Sequence, residues 1–188
     1  MKIDDAEKIL KRYLSNKNLV KHCLAVGAIM EGVARELNQR GKKYDTGEWK
    51  IAGLVHDIDY DMTAGEPEKH SLAGASILRE NGFNQQIVYA VKAHNQAHGL
   101  PLKSDMDISL YASDPLSGLI VASALISPDK RLDSIDGQFV LNRFVEKSFA
   151  RGADRNQIMF SKKLGILPEQ FICLGLEAMQ KINKRLGL

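Results

Sequence analysis

Apolar side chains recur by threes and fours along almost the whole chain, and this spacing restricts the fold to packed helices. The clearest run is Leu19, Cys23, Val26, Met30, Val33 and Leu37, which shares one face of a helix but would scatter over both faces of a strand. Alternating runs of the kind a half-buried strand needs are scarce, and no fixed-period repeat is present. The pattern predicts an all-α, single-domain bundle, with helices at about 4–14, 18–39, 45–58, 68–80, 85–95, 105–126, 137–150, 155–164 and 168–186. Gly41 fits the end of the second helix, and Pro168 the first turn of the last. Asp45 with Glu48, and Asp154 with Gln157, have the spacing of capping boxes.

No linker divides residues 1–188, and that length suits one domain with a sizeable core. The net charge of +3 and pI of 8.8 are mild, and Lys and Arg are scattered rather than blocked, so no nucleic-acid partner is expected. Cys23 and Cys173 lie far apart in apolar helical patterns and read as small buried hydrophobes, not as a disulfide or zinc pair. The opening Met1-Lys2-Ile3-Asp4-Asp5 has no apolar h-region, and no apolar stretch reads as long enough to span a bilayer. A cytoplasmic location without a membrane partner is expected; composition leaves the oligomeric state open.

Chemistry enters where polar residues interrupt the apolar pattern. His56 and Asp57 close the run Ile51-Ala52-Gly53-Leu54-Val55, and a buried imidazole beside a buried carboxylate must be paired or metal-bound. His22 shares a face with Val26 and Ile29. His70 starts a stripe continued by Ala73, Gly74 and Ile77, and His94 ends one made of Ile87, Ala90 and Val91. Asp114 precedes Gly118, Val121 and Leu125 on one face. Divalent ions need deprotonated nitrogen and oxygen ligands converging from several elements, which this set can supply. Simpler readings compete at single positions. A lone histidine on an apolar face is usually a hydrogen-bonded core residue, and Asp114-Pro115 fits an N-cap followed by the first residue of a helix. His98 reads as a loop residue near the mouth of the site.

The order His22, His56-Asp57, Asp114 resembles the HD superfamily of metal-dependent phosphohydrolases. The likeness covers about 19–126 as an HD core, with a helical extension at 136–188 that carries no recognised motif. His70-Ser71-Leu72-Ala73-Gly74 looks like the intermediate His-x-x-x-Gly element of the binuclear members, and His94 stands where the next histidine is expected. Asn95 replaces the second histidine of HD-GYP proteins, and no Gly-Tyr-Pro follows, so the chain looks closer to small stand-alone HD proteins. The resemblance implies an HD-type helical bundle holding one or two divalent transition-metal ions (Fe, Mn, Co, Ni or Zn). The implied ligands are His22, His56, Asp57 and Asp114, with His70 and His94 on a second ion. Asp57 would bridge the ions and take part in catalysis. The implied reaction is hydrolysis of a small phosphate ester, a nucleotide being the expected substrate, by a metal-activated water. Lys103 and Arg131 are the candidate substrate contacts, and Asp61 or Glu66 could serve as a base. The alternative is a metal-stabilised module that binds a nucleotide without turning it over.

Overall fold

Helices account for the regular structure throughout the computed structural model, which describes residues 1–188 and has no strand. In chain order they are α1 (Ile3–Tyr13), α2 (Lys17–Gln39), α3 (Thr46–Val55), α4 (Tyr60–Thr63), α5 (Leu72–Glu80), α6 (Gln85–His94), α7 (Asp105–Ile126), α8 (Gly137–Val145), α9 (Arg155–Ile158), α10 (Pro168–Gln180) and α11 (Asn183–Leu186). Short 3₁₀ turns occupy Gln96–His98, Leu132–Ser134 and Met159–Leu164.

Two long helices, α2 and α7, organise the rest. The Asn16 side chain caps α2 by accepting from the Asn18 and Leu19 amides, and the expected seam Cys23, Val26, Met30, Val33 and Leu37 is buried. Two glycines let α3 press against it. A Cβ on Gly53 would lie 2.7 Å from the Val26 carbonyl oxygen, and one on Gly27 would lie 3.0 Å from the Lys50 oxygen. A helix-interior glycine costs about 1 kcal/mol relative to alanine. In return the two backbones meet without side chains between them, one turn from His22 on α2 and from His56 after α3.

The longest apolar segment becomes α7, with the bounds expected. Ser104 and Asp107 close a reciprocal capping box at its start. By length and composition α7 could cross a membrane, contrary to the expectation that no stretch would. It is instead a core helix, packed against α2, α6 and α8. Pro115 lies inside it, so Asp114 is not an N-cap. The face of Asp114, Gly118, Val121 and Leu125 is not a core face either: Gly118 and Leu125 are exposed, and Leu110, Leu116, Leu119 and Ile120 are buried instead.

The C-terminal helices share the same core. Val140, Ile158, Phe171, Ile172, Leu176 and Met179 belong to the buried cluster that includes Leu10, Val26, Trp49 and Leu116. Several expected ends shift. The helix expected from 68 starts only at Leu72, after a turn in which Ser71 has φ 70°. The last expected helix breaks between Gln180 and Asn183, and that at 155–164 continues as 3₁₀ from Met159. Asp45 and Asp154 cap their helices, but the Glu48 carboxylate accepts from Asn84 instead of closing a box. Cys23 is buried as expected. Cys173 is exposed, because α10 buries its Phe171, Ile172, Gly175 and Leu176 side and turns Cys173 outward.

Candidate metal centre

Four of the five histidines aim the same ring nitrogen at one point. The His22 Nε2 lies 3.1 Å from His56 Nε2 and 3.0 Å from Asp114 Oδ1. Asp57 sits among the imidazoles. Its Oδ1 is 3.5 Å from His56 Nε2, 3.3 Å from His70 Nε2 and 3.6 Å from His94 Nε2, and its Oδ2 is 3.6 Å from His22 Nε2. Two overlapping groups meet the spacing that a cation requires: His22, His56 and Asp114, and His56, Asp57 and His94. The residues singled out in the sequence as ligands are thereby brought together from α2, the end of α3, the turn before α5, the end of α6, and α7.

The outward nitrogens explain why the rings point this way. His56 Nδ1 donates to the Gly53 carbonyl at 2.8 Å, and His94 Nδ1 to the Val91 carbonyl at 2.6 Å. His70 Nδ1 donates to Asp59 Oδ1 at 3.0 Å. His22 Nδ1 lies 2.9 Å from Ser117 Oγ, whose own proton goes to the Asp114 carbonyl, so the hydroxyl accepts from the ring. With each Nδ1–H committed outward, each Nε2 presents a lone pair inward. Metal-binding histidines are held in this way, by a second hydrogen bond that fixes tautomer and orientation. Lone pairs of His22 and His56 facing each other at 3.1 Å repel unless a proton or a metal ion lies between them.

The charges agree. Burial works against an imidazolium at His56, yet Asp57 and Asp114 lift its pKa well above the usual histidine value. Burial also works against a charged Asp57, but His56, His70 and His94 hold its carboxyl well below the usual range. Asp114 is half-buried; desolvation opposes its charge, but His22 and His56 hold its carboxyl low. His70, opposed by burial and favoured by Asp57 and Asp59, is pushed up to about 9. In the metal-free protein, protons supply the positive charge that the two carboxylates demand.

Asp59 was not singled out in the sequence, where it read as the first residue of an acidic loop. It is fully buried, and its Oδ2 accepts from the Ser71 and Gly74 amides, both at 2.8 Å, while Oδ1 holds His70. A Cβ on Gly74 would stand 3.2 Å from the Asp59 carboxyl carbon, which explains a glycine four residues after His70. The buried Ile58 before it was the only local signal that the chain had not yet left the core. His98 and Asn95 hold the same loop from the other side: His98 Nε2 donates to the His70 carbonyl at 2.7 Å, and Asn95 Nδ2 to the Pro67 carbonyl at 3.1 Å. Asn95, where an HD-GYP protein has a histidine, thus clamps the backbone that carries His70.

The remaining sequence candidates are held elsewhere. Lys103 Nζ rests 4.5 Å from the Tyr89 ring centroid, and Arg131 lies 3.6 Å from Asp133 beside Asn183 and Lys184. Neither makes an ion pair with the cluster. Asp61 accepts from the Ser15 amide and hydroxyl at 2.6 and 2.7 Å, and Glu66 pairs with Lys69, so both acids are engaged away from the cluster.

Comparison with known proteins agrees with this geometry. The family model described as "HD domain" matches residues 19–124, a span that contains every ligand-type residue of the cluster. The chain is 32% identical over 153 residues to the uncharacterized protein MJ0778 of Methanocaldococcus jannaschii, covering 78% of this chain and 86% of that protein. It is 32% identical over 145 residues to ribonuclease Y of Desulfotalea psychrophila, covering 74% of this chain and 26% of the enzyme. A tRNA (cytidine(56)-2'-O)-methyltransferase of Thermoplasma volcanium is 27% identical over 153 residues, 78% of this chain and 42% of that protein. The chain thus spans less than half the length of the last two. No solved structure matches. Domain match, relative and converging His-Asp cluster together place the chain in the HD-domain family, whose general chemistry is metal-dependent phosphohydrolysis.

Proposed function

We propose that the protein is a metal-dependent phosphohydrolase acting on a small phosphate ester, with a nucleotide as the substrate class. The observation that carries this reading is the convergence of four Nε2 lone pairs on two carboxylates, each imidazole anchored outward through Nδ1. His22, His56, Asp57 and Asp114 would hold one divalent ion. Asp57, His70 and His94 would hold a second, with Asp57 shared between the two sets. Nitrogen and carboxylate donors in this mixture suit Fe, Mn, Co, Ni or Zn. When bound, such an ion generates hydroxide near neutral pH and draws electron density from a phosphoryl oxygen.

The chain's own residues do the rest. The histidines must be neutral to bind, so the protons on His56 and His70 leave as the site is loaded. Asp59 and Ser117 keep His70 and His22 from turning away. The relatives called ribonuclease Y support phosphoester cleavage as the reaction class, although this chain covers only a fraction of them. The engagement of Asp61 and Glu66 away from the cluster favours a second reading, a metal-stabilised module that binds a nucleotide without hydrolysing it.

Turnover separates the two. Protein loaded with Mn(II) is assayed on a generic phosphodiester, a generic phosphomonoester and a panel of nucleotides. Hydrolysis that needs metal and disappears in His56→Ala supports the phosphohydrolase. Nucleotide binding without turnover on any substrate supports the binding module.

A further inference from the structure

The chain beyond α8 carries no motif and lies outside the matched HD region, yet one guanidinium gives it a defined shape. Arg155 donates from Nε to the Phe144 carbonyl at 3.3 Å and from Nη1 to the Ala150 and Ala153 carbonyls, both at 2.7 Å. Its Nη2 serves the Arg143, Glu146 and Phe149 carbonyls at 3.2, 3.5 and 2.6 Å. Every donor of the guanidinium is therefore turned onto backbone. The result is a strap, residues 143–153, that runs from the end of α8 and wraps round the Arg155 side chain.

The strap faces the cluster. Ala150, Gly152 and Ala153 line one cavity of about 290 Å³ together with His22, Asp114 and Gly118. A Cβ built on Gly152 or on Gly118 meets nothing within 4 Å, so a side chain at either position would start in open space. Gly118 sits within α7 without a packing contact to explain it. The cavity continues past His22 and Gly118 into a groove of about 470 Å³ bounded by Lys21, Val121 and Leu125. Leu125 is 49% exposed and the Lys21 ammonium lies against Gly187, so the groove offers an apolar wall beside a positive charge, with Leu186, Gly187 and Leu188 along its other side. Ligand pockets of about 300–1,000 Å³ suit small molecules, and their walls are mostly apolar with a few placed polar groups.

We infer that the Arg155-pinned strap is the outer wall of the substrate cleft, and that this cleft takes a phosphoester of mononucleotide size. The phosphoryl group lies at the cluster and the ring lies along Val121 and Leu125. The inference rests on the phosphohydrolase reading and adds its substrate size. Arg155 is a positioning residue, acting through the strap.

Binding tests this without requiring turnover. Protein loaded with Mn(II) is titrated calorimetrically with inorganic phosphate and with adenosine monophosphate. Wild type binds both, the nucleotide more tightly. Gly152→Leu, which fills the cavity from the strap side, weakens the nucleotide by about tenfold or more, that is by about 1.4 kcal/mol or more. It leaves metal content unchanged. Arg155→Lys, which keeps the charge but cannot reach the same carbonyls, moves in the same direction; if it fails to fold, Gly152→Leu decides. Nucleotide affinity unchanged in Gly152→Leu, or metal lost in parallel, overturns the wall. So does a wild type that binds an RNA oligonucleotide far more tightly than the mononucleotide. A wild type that takes up metal but no phosphate overturns the phosphohydrolase reading itself, and the substrate cleft with it.

Discussion

The four imidazoles of the cluster fall into two pairs that are held by different means. His56 and His94 are each anchored three residues back along their own chain, on the Gly53 and Val91 carbonyls, and both are buried. His22 and His70 are more exposed and depend on other parts of the molecule, on Ser117 and Asp59. The first pair is oriented as soon as its helix forms. The second is oriented only when the fold is complete. His56, which belongs to both groups of ligand atoms, should therefore decide whether metal binds at all, and the tertiary-anchored pair how tightly and how many ions.

The largest effect is expected at the buried pair and its shared carboxylate. His56→Ala or Asp57→Ala should abolish metal binding and hydrolysis. The stability loss should be greater with metal present than without, because an ion at 100 times its Kd adds about 2.7 kcal/mol to the folded state. Melting curves with Mn(II) and with chelator measure this; equal losses in both would mean that His56 is a packing residue only.

Next comes the anchor of His70. Asp59→Ala strips an acceptor from the Ser71 and Gly74 amides as well as from the imidazole. Metal affinity should fall by about 10–100-fold. Each buried amide left without a partner should cost about 1–3 kcal/mol even in the metal-free protein. Full metal affinity in Asp59→Ala would erase the distinction between the pairs. Ser117→Ala removes one neutral acceptor from His22 and should do less, about 0.5–1.5 kcal/mol. If it does as much as Asp59→Ala, exposure rather than anchoring sets the ranking.

A graded effect of pH is expected on both pairs. The His70 pKa is raised from 6.5 to about 9 in the metal-free fold, and His56 moves in the same direction. Protonated His70 stabilises the metal-free protein fully below pH 6.5, and that contribution disappears as pH rises toward 9; His56 acts in the same direction. Metal must displace these protons, so its apparent affinity should climb over the same window, by about tenfold per pH unit for each proton released. Titrations at several pH values read the slope, and a flat profile would show that the histidines do not lose protons to the ion.

The same division explains what could be read from sequence. His56 and His94 each end an apolar helix, and their anchors are a matter of helical spacing. His22 and Asp114 stand beside periodic apolar runs, although the Asp114 face borders the cleft and not the core. Asp59 and Ser117 were missed because they act on side chains 11 and 95 residues away, which no local pattern encodes. Asp59 also ends the illusion of a helix from residue 68: by taking the Ser71 and Gly74 amides it delays α5 to Leu72. Arg155 escaped for a similar reason. Most of its carbonyl partners follow the end of α8, in an irregular strap wrapped round the guanidinium.

Metal stoichiometry tests the central claim most directly. Purified protein is stripped, loaded with excess Mn(II), desalted and measured for metal per chain by elemental analysis, in wild type, His70→Ala and His56→Ala. The account predicts two ions, about one ion, and none. A wild type that saturates at one ion, retained in His70→Ala, would contradict the second ion and make His70 a substrate contact. A wild type that holds no ion would contradict the metal centre altogether.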